Sequence, residues 1–178
     1  VFALSPFVEK GIKKLLPICK TNARSAALIA FTTLTISWFN WGLGLVFGAI
    51  FCKKLLEYAH DKKLPLNVGL IGAAGYCGLM GWHGGISGSS LIKIAEPGHL
   101  ATLVSPQYQH QVPHLIDFKS TVFSLSNLIV TAILFLVLPL TIYFIGKKVQ
   151  TQIPDEYELP TKNVVNKNES ITSLSLLE

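Results

Sequence analysis

Apolar and polar positions divide this chain into one basic amphipathic segment, three long uncharged stretches and the polar connections between them. From Leu4 to Cys19 the apolar residues Leu4, Phe7, Val8, Ile12, Leu15, Leu16 and Cys19 recur at helical spacing, opposed by Lys10, Lys13 and Lys14. Ser5 and Pro6 read as N-cap and first-turn proline, and Pro17 as the stop. Residues 1–24 are therefore expected to form a basic interfacial segment lying along lipid headgroups. Ser25 to Cys52, Leu64 to Ile92 and Ser120 to Gly146 contain no Asp, Glu, Lys or Arg. Each is longer than the roughly 20 residues that carry a helix across about 30 Å of hydrocarbon. Segments 25–52, 64–92 and 120–146 are predicted to enter the membrane, with loops over 53–63 and 93–119 and a polar tail over 147–178. The expected fold class is all-α, a polytopic transmembrane helical protein.

Within the second segment glycines fall at 69, 72, 75, 78, 81 and 84. On a helix of 3.6 residues per turn that spacing winds around the cylinder and thins it, so that several neighbours can approach. The segment is longer than one crossing needs, and adjacent glycines are weak helix formers, so a break or re-entrant turn is expected at Gly84-Gly85. Ser87, Ser89 and Ser90 follow as potential capping hydroxyls. In the first segment Asn40 lies between Trp38 and Trp41, followed by Gly42, Gly44 and Gly48. Two readings stand side by side: a small-residue face seating a neighbouring helix with Asn40 bonding across, or a ligand-lining face. In the third segment Pro139 is expected to kink the helix that ends at Lys147-Lys148.

Composition removes several function classes. Half of the residues are hydrophobic and only 14% are charged, with a mean hydropathy of +0.48. Three all-apolar helices of this length do not suit one small soluble domain, and the first is too long for a signal peptide and is followed by further spans. The net charge of +5 comes from lysines and arginine flanking the apolar stretches, where they anchor spans, so no nucleic-acid partner is expected. Those cations divide almost evenly between the two sides, which leaves orientation open and slightly favours a re-entrant second segment. Cys19, Cys52 and Cys77 show no C-x-x-C pairing, and Pro113 separates His110 from His114, so no metal or cofactor is expected. The Asn168-Glu169-Ser170 sequon is a pattern common by chance. With three segments and no initiating Met, the chain is expected to be a fragment whose remaining helices are its partners.

The uncharged segments offer backbone N–H groups, serine hydroxyls, the imidazole of His83 and the amide of Asn40, but no carboxylate. That set suits an anionic ligand. A helix broken at membrane depth would present its N-terminus, near Ser87 or Ser89, to a carboxylate, while Trp38, Trp41 and Trp82 wall a small apolar tail. His83 can carry a proton near neutral pH. From another class, Gly85-Ile86-Ser87-Gly88 has the form seen around the nucleophile of intramembrane serine proteases, although no histidine follows in the third segment. An intramembrane serine hydrolase using Ser87 is therefore carried as the alternative.

SWFNWGLGLVFGAIF at Ser37 to Phe51 and GYCGLMGWHGGISGSS at Gly75 to Ser90 closely resemble the bacterial short-chain fatty acid transporter family. The order of elements resembles that family up to about Lys148, and the chain departs from it at Leu91, where members often carry proline. The resemblance implies a multi-pass inner-membrane carrier for monocarboxylates such as acetoacetate or butyrate; a coupling proton or cation is left open, and another small organic anion is the runner-up. By position, it implies substrate contact at Asn40, Trp41, Gly42, Trp82, His83, Gly84, Gly85, Ser87, Gly88 and Ser89, and no catalytic residue.

Overall fold

A computed structural model describes residues 6–151 as helices and their connections, with no strand among the described residues. Ser5, the sequon and the tail beyond residue 151 lie outside the described residues. Seven α-helices follow in order: α1 (Pro6–Leu15), α2 (Asn22–Phe39), α3 (Trp41–Asp61), α4 (Val68–Tyr76), α5 (Ser89–Ile94), α6 (His99–Thr102) and α7 (Leu125–Lys148). Short 3-10 turns cover Leu16–Ile18, Cys77–Met80, Trp82–Gly84 and Pro106–Gln111.

The first long apolar segment is not one helix. Asn40 ends α2 and starts α3, and the chain doubles back on itself, because Gly44 lies against Ser37 and Gly48 against Thr33. Residues 25–52 are thus the two arms of a hairpin. Nor is 53–63 a loop: α3 continues to Asp61, carrying Lys53, Lys54 and Glu57 on its last turns. Hydropathy does not register such a turn, since the residues on either side of it are equally apolar.

α2 is the axis on which the other elements pack. Its buried residues, Asn22, Ala23, Ser25, Ala26, Ile29, Ala30, Thr33, Leu34 and Ser37, are mostly small, so neighbouring backbones come close on several sides. α3 returns antiparallel to it. α4 runs antiparallel to α3, with Gly75 against Gly48 and the Cys52 Sγ donating to the Ile71 carbonyl at 3.2 Å. The stretch from Asn67 to Gly85 therefore follows α2 from end to end, since the Asn67 N–H donates to Asn22 Oδ1 at 2.7 Å and Gly85 lies against Trp38. α7 descends antiparallel: Phe123 meets Trp38, Phe135 meets Phe31 and Gly146 sits on the Ala23 backbone.

α7 touches this bundle by one stripe, with Ile142 and Gly146 buried, while Ile129, Val130, Ile133, Leu136, Val137, Leu140 and Phe144 face outward. It is the one helix among the described residues long and apolar enough to cross a membrane, and it continues helical through Pro139. Three separate crossing segments are not what the helix boundaries display.

α1 is amphipathic as expected, and Ile12 is fully buried against the core. Lys54 Nζ of α3 lies 2.7 Å from Glu9 Oε1, and the lysine beside it, with Lys13, holds the Glu9 carboxyl below the usual carboxylate range. After Leu16–Ile18, Cys19 is buried and its Sγ donates to the Leu15 carbonyl; burial pushes its thiol up to about 11. The 93–119 region, expected as a plain loop, contains α6 and the 3-10 turn and is closed by Gly98 N–H to His114 carbonyl at 2.7 Å and Ile116 N–H to Ile94 carbonyl at 2.9 Å. Gly98 takes the left-handed φ of 76° that this closure requires.

Candidate functional site

Three interruptions of helix meet at one end of the bundle. The first is Asn40, whose extended backbone joins α2 to α3 without an intervening loop. Its N–H still donates to the Ile36 carbonyl, its carbonyl accepts from Gly44 N–H, and its side-chain Oδ1 accepts from Leu43 N–H, each at 2.9 Å. Asparagine does all three because it tolerates extended backbone and is a strong N-cap. Asn40 therefore caps its own hairpin and does not bond across to another helix. Gly44 is required by the same turn, since a Cβ there would lie 2.8 Å from Ser37 Cα.

The second interruption runs from Cys77 to Gly88. α-Helical geometry ends at Tyr76, well before the expected Gly84-Gly85 position, and tightens into the two 3-10 turns before Gly85 becomes extended. A 3-10 turn has 3.0 residues per turn, so glycines three apart stay on one side. Gly78 meets Ser37 and Thr33, and Gly81 meets Leu34, all on α2; Gly84 then meets Asn127 and Thr131 on α7. Gly78 and Gly81 thus keep one side against α2 through the 3-10 stretch, whereas inside α4 Gly75 packs on Gly48 and Gly72 faces open space. Gly85 lies so close to Trp38 that a Cβ would sit 2.8 Å from its carbonyl carbon, and Ile86 N–H donates to the Trp38 carbonyl at 2.9 Å.

The third is the start of α7. Ser124 caps it, and Asn127 Nδ2 donates to the Gly84 carbonyl at 2.8 Å and to the Val122 carbonyl at 2.7 Å. Breaking a helix inside apolar surroundings frees carbonyls that must be satisfied, and Asn127 does this from the facing helix. Sequence reasoning passed over Asn127. Its signal was available: like Asn40, it is a lone amide in an uncharged stretch.

Ser87 joins the interruptions together. Its Oγ accepts from Trp41 N–H, the first helical residue of α3, at 3.1 Å, and donates to the Ser37 carbonyl at 3.4 Å. The expectation that Ser87 caps its own following helix is corrected: α5 has only six residues, its N-cap is Gly88, which offers no side chain, and Ser89 is exposed at its first position. The N-terminus assembled here is that of the 21-residue α3. Of its first-turn donors, Trp41 N–H goes to Ser87 and Leu43 N–H to Asn40, which leaves Gly42 N–H without a partner among the described residues.

Around that donor the Trp41 and Trp82 rings stand 5.9 Å apart, and His83 stacks on Trp82 at 4.1 Å. The fold thus gathers Asn40, Trp41, Gly42, Trp82, His83 and Ser87. Gly84, Gly85 and Gly88 are backbone-packing positions, Gly88 lying beneath the His83 carbonyl. Trp38 packs against Phe123 instead of joining the Trp41–Trp82 pair. Chemically the site offers a helix N-terminus, one unpaired N–H, an exposed imidazole and aromatic walls. Serine hydrolysis finds no support here, because the Ser87 proton is directed to a backbone carbonyl and His83 is stacked on Trp82. A separate open apolar cleft of about 540 Å³ lies between α1 and the hairpin, lined by residues including Val8, Leu15, Phe31, Ile36, Leu43 and Phe47.

Comparison with known proteins gives a consistent result. The profile of a family described as short chain fatty acid transporter matches residues 1–173. A protein of Haemophilus influenzae named "Putative short-chain fatty acid transporter" is 33% identical over 147 residues, covering 82% of this chain and 32% of that protein. One of the same name from Escherichia coli K12 is 30% identical over 137 residues, covering 77% of this chain and 28% of its own length. The chain thus spans about a third of the length of these curated relatives. No solved structure matches it.

Proposed function

Because this chain belongs to the short chain fatty acid transporter family, we propose that it forms the substrate-binding part of a membrane carrier for short monocarboxylates such as butyrate or acetoacetate. The observation that supports this most directly is the first turn of α3: a helix N-terminus set among Trp41, Trp82 and His83 with the Gly42 N–H unpaired. Such a terminus carries roughly half a positive charge, enough to favour a carboxylate without a buried cation to trap it. The aromatic rings then cover a short acyl tail. Asn40 and Ser87 hold the terminus in place, and the exposed imidazole of His83 is the group to exchange a proton during coupling.

In this reading α7 crosses a bacterial inner membrane, and the α2–α3 hairpin and the 67–85 stretch lie within it packed beside α7. Alternating access operates around the α3 terminus, with the remaining helices of the longer protein closing the other side. The same donors accept any small organic anion, so chain length is the discriminating variable. The test is uptake of labelled butyrate into proteoliposomes holding a full-length family member that carries this segment. His83→Ala and Ser87→Ala are each expected to reduce uptake by about tenfold, equivalent to ~1.4 kcal/mol. Undiminished uptake in both variants removes the site, and no uptake of any short acid by the parent removes the function.

A further inference from the structure

The apolar cleft of about 540 Å³ between α1 and the hairpin adjoins a second hollow, of about 520 Å³, lined by Lys10, Gly11, Lys13 and Lys14. Gly11 and Lys14 line both, so one occupant can extend from the first into the second. A Cβ at Gly11 would meet nothing within 4 Å, which leaves the passage between them open.

The two hollows differ in chemistry. The cleft is walled by hydrocarbon from Phe31, Ile36, Leu43 and Phe47. Thr32 and Thr35 also line it, but their hydroxyls donate to the Leu28 and Phe31 carbonyls of α2 itself, each at 2.8 Å, so they offer no donor to an occupant. The second hollow is cationic. Glu9, the single carboxylate of α1, is engaged by Lys54 at 2.7 Å and by Lys13 at 3.9 Å. Lys10 and Lys14 are thereby left without an ion-pair partner among the described residues.

The cleft also has a direction. Glu9 meets Lys54 on the later half of α3, whereas Leu43 and Phe47 belong to its first two turns, so the cleft extends from α1 along the hairpin toward the Asn40 turn. Its far end is formed by Ile36 and Leu43, whose carbonyl and N–H are both bonded to Asn40. With the basic α1 lying along headgroups, this is the path of a lipid chain from the interface toward the membrane interior.

We propose that the cleft holds an acyl chain of an anionic phospholipid whose headgroup lies between Lys10 and Lys14. Charge complementarity selects this occupant. Another helix of the longer protein would fill the cleft but leave the lysines at its mouth uncompensated, and a zwitterionic lipid brings its own cation to them. A butyrate-sized acid has too short a tail to occupy both hollows. An anionic head on a long hydrocarbon chain matches the two at once. The inference goes beyond the transport reading, because the ligand is the membrane's own lipid and not the transported acid.

The test is photolabelling of a full-length family member that carries this segment, in phosphatidylcholine nanodiscs containing phosphatidylglycerol with a diazirine in its acyl chain, adducts being mapped by peptide mass spectrometry. Adducts are expected on the cleft side of the hairpin, at Phe31, Ile36, Leu43 or Phe47, and also on the outward face of α7, where bulk lipid touches exposed Leu136 and Val137. Gly11→Leu closes the passage, and Lys10→Gln with Lys14→Gln removes the unpaired cations at exposed positions. Each is expected to lower hairpin labelling about tenfold while α7 labelling, which reports an assembled protein, stays constant. Labelling of α7 without the hairpin makes a helix of the longer protein the cover and overturns the proposal. It is equally overturned if the same probe on phosphatidylcholine labels the hairpin as strongly, if a long-chain fatty acid displaces phosphatidylglycerol at equal concentration, or if both variants label as the parent does. Butyrate uptake is read separately on the same protein, so an empty cleft with uptake intact and a filled cleft with uptake lost tell the two readings apart.

Discussion

Single positions divide sharply by what surrounds them. Gly85→Ala drives a Cβ onto the Trp38 backbone, which belongs to a packed helix and cannot swing away, so a loss of about 1–3 kcal/mol is expected in thermal unfolding. Gly72→Ala meets nothing within 4 Å inside α4 and should stabilise by ~0.5–1 kcal/mol. If the two substitutions behave alike, the close approach of Gly85 is wrong. Asn127→Leu strips the donor from the Gly84 and Val122 carbonyls, and each carbonyl left unpaired costs about 1–3 kcal/mol. From the sequence, glycines every third residue were legible as a packing device. Which of them carry contact was not, because the answer depends on a change from 3.6 to 3.0 residues per turn that apolar residues do not encode.

Among the elements, the α2–α3 hairpin is the least legible and the most consequential. Both arms are apolar, and the whole reversal is accomplished by one asparagine, so a hydropathy window passes over it. The local chemistry was nevertheless visible: Asn40 precedes Trp41-Gly42 as an N-cap precedes a helix. α1 was legible because its polar face meets water or headgroups, a contrast that periodicity records. Its attachment to α3 by Glu9 and Lys54 has a pH signature. The folded Glu9 pKa is lowered, so the clamp contributes fully above the ordinary carboxylate pKa of about 4.3 and is lost as pH falls through the lower folded value. Proteolysis near α1 is expected to accelerate below that range in the parent, whereas Glu9→Gln should cleave at one elevated rate throughout.

At the scale of the whole molecule, the outward face of α7 presents a long row of exposed apolar side chains, a surface suited to lipid or to another apolar helix. Leu136→Arg, midway along that face, is expected to disfavour membrane insertion by about 2.5–3.5 kcal/mol in a translocon assay. Insertion as efficient as the parent's would contradict a spanning α7. The sequence by itself determined the helical class, the apolar surroundings, the amphipathic lead and the residue types around the candidate site, because each follows from what a residue prefers as solvent. Only the tertiary structure decided where the chain reverses, that α3 and not α5 supplies the helix N-terminus, and that Asn127 answers the broken helix. When nearly every face of every helix is apolar, pattern no longer selects partners. Close backbone approach and the pairing of freed N–H and carbonyl groups do so, and both are properties of two segments together.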